Sequence, residues 1–197
     1  QGSSGNGRPL ISINCKDSNV AGQAGQRDVL VKEDDDAEGG ITYRVALEDS
    51  QGNPCPAAEN VTVTITVDLV CGVEYGNAAA NADFYFDMDA LKAACGGITP
   101  GWTASGNQGQ LTITIPAGSS GVDIVTKIVH DKLTEHNRWK YNDKGELVDA
   151  DGNPLPEGAD PVREMPDEAY NLTISDVSGS ETVIKQGEDY VNTTISE

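Results

Sequence analysis

Long apolar runs are missing from this sequence. No stretch approaches the roughly eighteen consecutive apolar residues that a membrane-spanning helix needs. The chain opens at Gln1 without a signal-like apolar segment, which is expected of a piece excised from a longer exported protein. Positive charge is also in short supply. Thirteen Lys and Arg stand against 32 Asp and Glu, a formal charge of −19, and such a surface repels phosphate backbones and anionic lipids. Nucleic acid and membrane insertion are thereby disfavoured, and cations are favoured. Signatures of catalysis are missing as well: there is no GxSxG elbow, P-loop or dinucleotide fingerprint. The only histidines, His130 and His136, are not spaced like zinc ligands and have no third soft ligand to join them. They read as surface residues, and binding rather than catalysis is expected.

Cysteine is sparse and unpatterned. Cys15, Cys55, Cys71 and Cys95 form no CxxC pair, so one or two disulfides and free buried thiols both stay open for an exported chain. Large apolar side chains are few. Leu, Ile, Val and Phe account for 41 of 197 residues, close to the ~20 percent below which highly charged chains tend to stay disordered. A core this thin, under this much self-repulsion, would gain from bound divalent ions, whose binding energy becomes folding energy.

What the sequence does contain is alternation. After a Gly- and Ser-rich linker over residues 1–8, apolar residues recur with a period of two. Ile41, Tyr43, Val45 and Leu47 share one face; so do Val61, Val63, Ile65, Val67 and Leu69, then Leu111, Ile113 and Ile115, then Tyr170, Leu172 and Ile174. This period marks strands buried on one side. Val122 to Val129 is apolar on both faces and should lie centrally. Turn residues separate the runs, as in Gln51-Gly52-Asn53-Pro54 and Pro116-Ala117-Gly118. One short helix is expected over Met88 to Cys95, capped by Asp87 and stopped by Gly96-Gly97. Two turn signals around Glu146-Leu147-Val148 predict a protruding hairpin. The chain from 9 to 197 therefore reads as a single all-β, two-sheet β-sandwich domain, with insertions at about 87–107 and 137–163.

Acidic residues gather at predicted strand ends. Glu33 opens a run that follows the strand Val29 to Val31. Asp83 follows a small-residue turn, Asp131 and Glu135 follow the strand ending at Val129, and Glu168 precedes the strand from Tyr170. Calcium takes six to eight oxygens, largely carboxylates and carbonyls on loops, and a sandwich can bring such loops to one end. Exposed, solvated carboxylates are the plainer reading of any one run. A weaker candidate, Asp149-Ala150-Asp151-Gly152-Asn153, lacks the later Glu of an EF-hand and reads as an Asp-Gly turn.

At these residues the chain resembles a Calx-β domain, the immunoglobulin-like calcium-binding sandwich of sodium–calcium exchangers and of giant bacterial adhesins. The resemblance rests on Val29-Leu30-Val31-Lys32-Glu33, on Gly76-Asn77-Ala78 through Asp83-Phe84, on the Pro116-Ala117-Gly118 turn between two strands, and on Glu168-Ala169-Tyr170-Asn171-Leu172. It implies Glu33, Asp83, Asp131 and Glu168 as Ca2+ ligands, with Glu135 as a fifth. Asp131-Lys132 departs from the usual acidic pair. The two insertions enlarge the domain in a way similar to the ligand-binding modules of RTX adhesins. That likeness implies an extracellular bacterial cell-surface protein with neighbouring adhesin domains. Its partner would be a peptide with a free C-terminal carboxylate, or a glycan, on a host or neighbouring cell. Trp102, Trp139 and Tyr141 lie in the inserted segments and are the candidate ligand contacts; covering the sandwich is the alternative use for them. A purely structural extender repeat is the rival function.

Overall fold

β-Branched residues alternating with Thr and charged residues form strands because one side of a pleated ribbon can then be buried whole. The computed structural model describes residues 8–32, 40–70, 73–76, 83–129, 139–149, 152–154 and 168–196. Among them the elements run β1 (Leu10–Ser18), β2 (Asp28–Lys32), β3 (Gly40–Glu48), β4 (Val61–Val70), β5 (Phe84–Phe86) and α1 (Met88–Ala94). There follow β6 (Gly101–Ser105), β7 (Gln108–Ile115), β8 (Gly121–Ile128), β9 (Trp139–Tyr141), β10 (Leu147–Asp149), β11 (Ala169–Ser178), β12 (Val183–Ile184) and β13 (Tyr190–Ser196). No helix among the described residues is long and apolar enough to cross a membrane.

Two large sheets make the sandwich. One has the order β12-β1-β3-β8-β5 and the other β2-β13-β11-β4-β7-β6. The pairings β1–β12 and β13–β2 are parallel. Between the sheets lies one core, in which Ile11, Ile13, Tyr43, Val45 and Ile124 of the first sheet share a cluster with Val63, Ile65, Val67, Ile113 and Leu172 of the second. Burial of an aliphatic side chain contributes about 1.5–3 kcal/mol, and the four predicted period-two runs supply a large share of the sandwich's core. Leu69 is the exception: it sits at the rim, half-buried.

Strand β8 corrects one expectation. Val122, Ile124, Thr126 and Ile128 are buried, but Asp123, Val125 and Lys127 lie on the outer face and are partly exposed. The strand is inside its sheet, between β3 and β5, yet it is buried on one side only. Val125 and Val129 made it look two-sided, whereas being flanked by strands requires only one apolar face in a two-layer fold.

The helix forms as its ends dictate. The Ala90 N–H donates to Asp87 Oδ1 at 3.0 Å, a cap whose loss typically costs about 1 kcal/mol. Leu91 is buried, and Gly96 and Gly97 take φ of 68° and 89° to end the helix. The first insertion thus supplies α1 and the edge strand β6. The second contains the expected hairpin, in which β9 pairs with β10 in a separate two-stranded sheet. Its turn is held by Asn142 Oδ1, which accepts the N–H groups of Lys144 and Glu146, both at 2.9 Å.

Register decides which loops share an end of the fold. Gly40 sits opposite Lys127, Phe84 opposite Ile128, Val70 opposite Ala169, and Lys32 opposite Ser196. All eight lie at one pole. Leu10 and Glu48 pair at the other pole, as do Val61 and Ile115. Close approach at the first pole requires glycine at position 40, where a Cβ would stand 2.0 Å from the Thr126 carbonyl oxygen.

Candidate functional site

Two acidic side chains are buried at that first pole. Asp83 is 1% exposed and Glu168 7%. Asp83 immediately precedes β5, and its backbone is fixed on both sides: its N–H donates to the Glu74 carbonyl at 2.9 Å and its carbonyl accepts the Val129 N–H at 2.9 Å. Its Oδ2 accepts the Glu74 N–H at 2.7 Å. Glu168 immediately precedes β11, and its carbonyl accepts the Ile195 N–H at 2.8 Å.

Aromatic packing brings these two loops to one place. The rings of Phe84 and Tyr170 stack across the core, centroids 4.0 Å apart and 4° from parallel. Asp83 is one residue before Phe84 and Glu168 two before Tyr170, so the two backbone segments that carry the acidic residues meet at this pole. An ionised carboxylate moved out of water costs several kcal/mol unless charge or hydrogen bonds compensate it. Two of them, from opposite sheets, give a hard, oxygen-only donor set of the kind calcium takes. Among the described residues, no three His, Cys, Asp or Glu side chains form a group able to hold a metal ion.

Of the other expected ligands, Glu33, Asp131 and Glu135 lie outside the described residues. The strands that precede them in sequence, β2 and β8, both end at this pole, at Lys32 and Ile128. His130 and His136 also lie outside the described residues, as does Asp151 of the weaker candidate.

The core beneath the pole carries a polar network that sequence reading did not foresee. The hydroxyls of Tyr43 and Tyr170 are 3.1 Å apart, and Tyr43 also bonds the Thr193 hydroxyl. Burial pushes both phenols well above their ordinary value, so both stay neutral. In the sequence both tyrosines read as members of an apolar alternation, which does not announce the hydroxyl contact. On the outer face of the first sheet, Asp123 accepts from Lys16 at 2.7 Å and from Arg44 at 3.1 Å. Burial alone would raise its carboxyl; the two cations outweigh that and hold it below the usual range.

The candidate contact residues divide by element. Trp102 in β6 is half-buried and stacks on Tyr75, with centroids 4.2 Å apart, and meets Phe86 edge-on at 5.4 Å. Gly109 leaves room for it: a Cβ there would lie 2.3 Å from the indole Cη2. One face of this ring is therefore used to cover the sandwich. Trp139 and Tyr141 are the two end residues of β9 in the hairpin. Beside the aromatic cluster, Tyr75, Tyr85, Phe86, Asp87 and Met88 line a shallow groove of about 350 Å³.

Of the three described cysteines, Cys15 and Cys95 fit the buried-thiol reading and Cys55 is half-buried. Cys15, Cys55 and Cys95 are free thiols, and burial raises the pKa of Cys15 and Cys95, which keeps both protonated and unreactive. Cys71 lies outside the described residues.

No family model and no curated protein matches the chain. Among solved structures it is similar to a type III cohesin module from the cellulosomal ScaE cell-surface anchoring scaffoldin of Ruminococcus flavefaciens. That match has 9% identity and a TM-score of 0.41, covering 99% of this chain and 91% of that one. It is also similar to a non-cellulosomal cohesin from the hyperthermophilic archaeon Archaeoglobus fulgidus, at 8% identity and a TM-score of 0.37, covering 95% and 92%. The β-sandwich itself is established by the sheet order and the shared core.

Proposed function

We propose that this domain is a calcium-dependent binding module of an extracellular bacterial adhesin, which holds a short peptide of a target cell surface by its C-terminal carboxylate. One observation carries the reading: Asp83 and Glu168, both buried, enter the same pole from opposite sheets beside a stacked Phe84–Tyr170 pair. A cation at this pole would relieve the self-repulsion of a chain of charge −19, and the all-oxygen chemistry of the two side chains suits calcium over zinc. Asp83 and Glu168 would hold the ion together with Glu33, Asp131 and Glu135, the acidic residues of the Calx-β pattern. Bound calcium would neutralise the pole and offer a coordination position to a ligand carboxylate. The domain's own part is to fix the two carboxylates through the backbone bonds of Asp83 to Glu74 and Val129, and of Glu168 to Ile195.

A peptide array probed with the domain in calcium and again in chelator tests this function. Discrete hits that require a free C-terminus and vanish on chelation are expected. A blank array in calcium would refute peptide binding and leave an extender repeat; hits indifferent to chelation would refute the calcium dependence.

A further inference from the structure

The two large sheets end in four edge strands, β12 and β5 in one and β2 and β6 in the other. An edge strand turns half of its backbone N–H and C=O groups outward, and a long open one is a template for another chain. Three of these edges are closed or too short to serve. Strand β12 has only two residues. Strand β5 is covered by the Tyr75–Gly76 segment: the Gly76 N–H donates to the Phe84 carbonyl at 2.9 Å and the Phe86 N–H to the Tyr75 hydroxyl at 3.2 Å. Strand β2 is sealed by side chains that imitate a neighbouring strand. Gln23 Oε1 accepts the Leu30 N–H and Asn19 Oδ1 the Lys32 N–H, while the Ser18 hydroxyl and the Asn19 amide donate to the Leu30 and Lys32 carbonyls.

Strand β6 has no such cover among the described residues. Its pairing with β7 matches Gly101 to Thr112, Thr103 to Gln110 and Ser105 to Gln108. The phase of the ladder follows from the next strand. The Leu69 N–H donates to the Asn107 carbonyl at 2.8 Å, so odd-numbered residues of β7 bond to β4 and even-numbered ones to β6. Gly101, Thr103 and Ser105 therefore use their backbone groups on β7. The N–H and C=O of Trp102 and Ala104 face outward. None of the five residues is charged or Pro, so the usual protections of an edge are absent. Gly101, Thr103, Ala104 and Ser105 are exposed, and a shallow groove of about 240 Å³ runs along Thr103, Ala104, Ser105, Gln108 and Gln110.

We propose that β6 is a docking edge for an extended peptide, which adds to the six-stranded sheet through the backbone groups of Trp102 and Ala104. Strand addition takes its affinity from main-chain hydrogen bonds and its selectivity from alternate side chains. The side chains of Thr103, Ser105, Gln108 and Gln110 ask for hydroxyl and amide groups on one face of the partner. Charge sets the rest. A second copy of this chain would bring another −19 and is opposed by repulsion, so the fitting partner is a foreign segment with basic flanks. This edge needs no metal and is independent of the calcium-dependent function proposed above.

The probe is the synthetic peptide Lys-Thr-Val-Thr-Val-Thr-Lys, added to the full chain in chelator and in calcium. Amide hydrogen exchange at Trp102 and Ala104 is expected to slow at least tenfold on saturation in both conditions, with Thr103 unchanged. Ala104→Pro removes an outward donor and leaves the β7 ladder intact; it should weaken binding at least tenfold. Should that variant fail to fold, the exchange pattern of the unmodified chain decides alone. Protection at other amides, no protection at all, or undiminished binding by a folded Ala104→Pro variant overturns the proposal. A concentration-dependent dimer that Ala104→Pro abolishes would also overturn it, by assigning the edge to a second copy. Loss of the effect in chelator would tie the peptide to calcium and refute the edge as an independent site.

Discussion

Exchanging the two buried carboxylates for amides separates a cation site from a merely acidic pole. Asp83→Asn and Glu168→Gln keep the shape of each side chain while removing its charge. If calcium binds there, an ion present at a hundred times its dissociation constant stabilises the folded state by about 2.7 kcal/mol. For a domain of this length each kcal/mol moves the melting temperature by roughly 2–4 °C, so calcium should raise that of the unmodified chain by about 5–11 °C. Each amide variant should lose most of this rise. Scanning calorimetry with calcium and with chelator reads the difference. Asp143→Asn, on the exposed hairpin turn, serves as control and should keep the full rise. An unmodified chain indifferent to calcium, or a full rise retained by both amide variants, would refute the reasoning.

Three further outcomes follow from packing. Gly109→Ala places a Cβ 2.3 Å from the Trp102 indole and must shift the ring off Tyr75. Such overpacking costs about 1–3 kcal/mol, so the melting temperature should fall by several degrees and the tryptophan emission should change; an unaltered melt would show that the ring moves freely. Asn19→Ala removes both side-chain bonds to Lys32 and should lower stability by about 1 kcal/mol while speeding exchange of the Lys32 amide, and unchanged exchange there would disprove the sealing role. Tyr43 and Tyr170 have folded pKa values raised above the unfolded value of about 10. Their contribution is complete below pH 10 and is lost as the pH climbs toward the folded values. An absorbance titration of the six tyrosines should therefore show two that ionise only with unfolding, and six that titrate together in the native state would contradict this burial.

The strands were legible because their cause is local: a Val–Thr alternation fixes which face is buried whatever the neighbours are. The same holds for α1, whose cap, Leu91 and terminal glycines all sit within a dozen residues. What escaped was set by pairing. Strand β6, Gly-Trp-Thr-Ala-Ser, lacks an apolar alternation because an edge over a rim needs only one anchoring ring, so its sequence reads as part of an insertion. Thr126 occupies a core position in β8 that periodicity would give to an aliphatic residue. At the site, acidic residues next to strand ends were visible one by one. Which of them share a pole depends on register between strands far apart in sequence, and the Phe84–Tyr170 contact that joins the two segments across the sheets is announced by no local pattern.

The first and last described strands give the domain a mechanical character. β1 begins at the pole of Glu48 and β13 ends at the pole of the buried carboxylates. Each is held between two neighbours, β1 by β12 and β3, β13 by β2 and β11. Tension applied through Leu10 and Ser196 therefore runs along the strands, and whole ladders must slide at once before either strand detaches. A fold pulled in shear in this way resists separation far better than one that could be unzipped bond by bond, and the pole of Asp83 and Glu168 lies at the Ser196 end of that line.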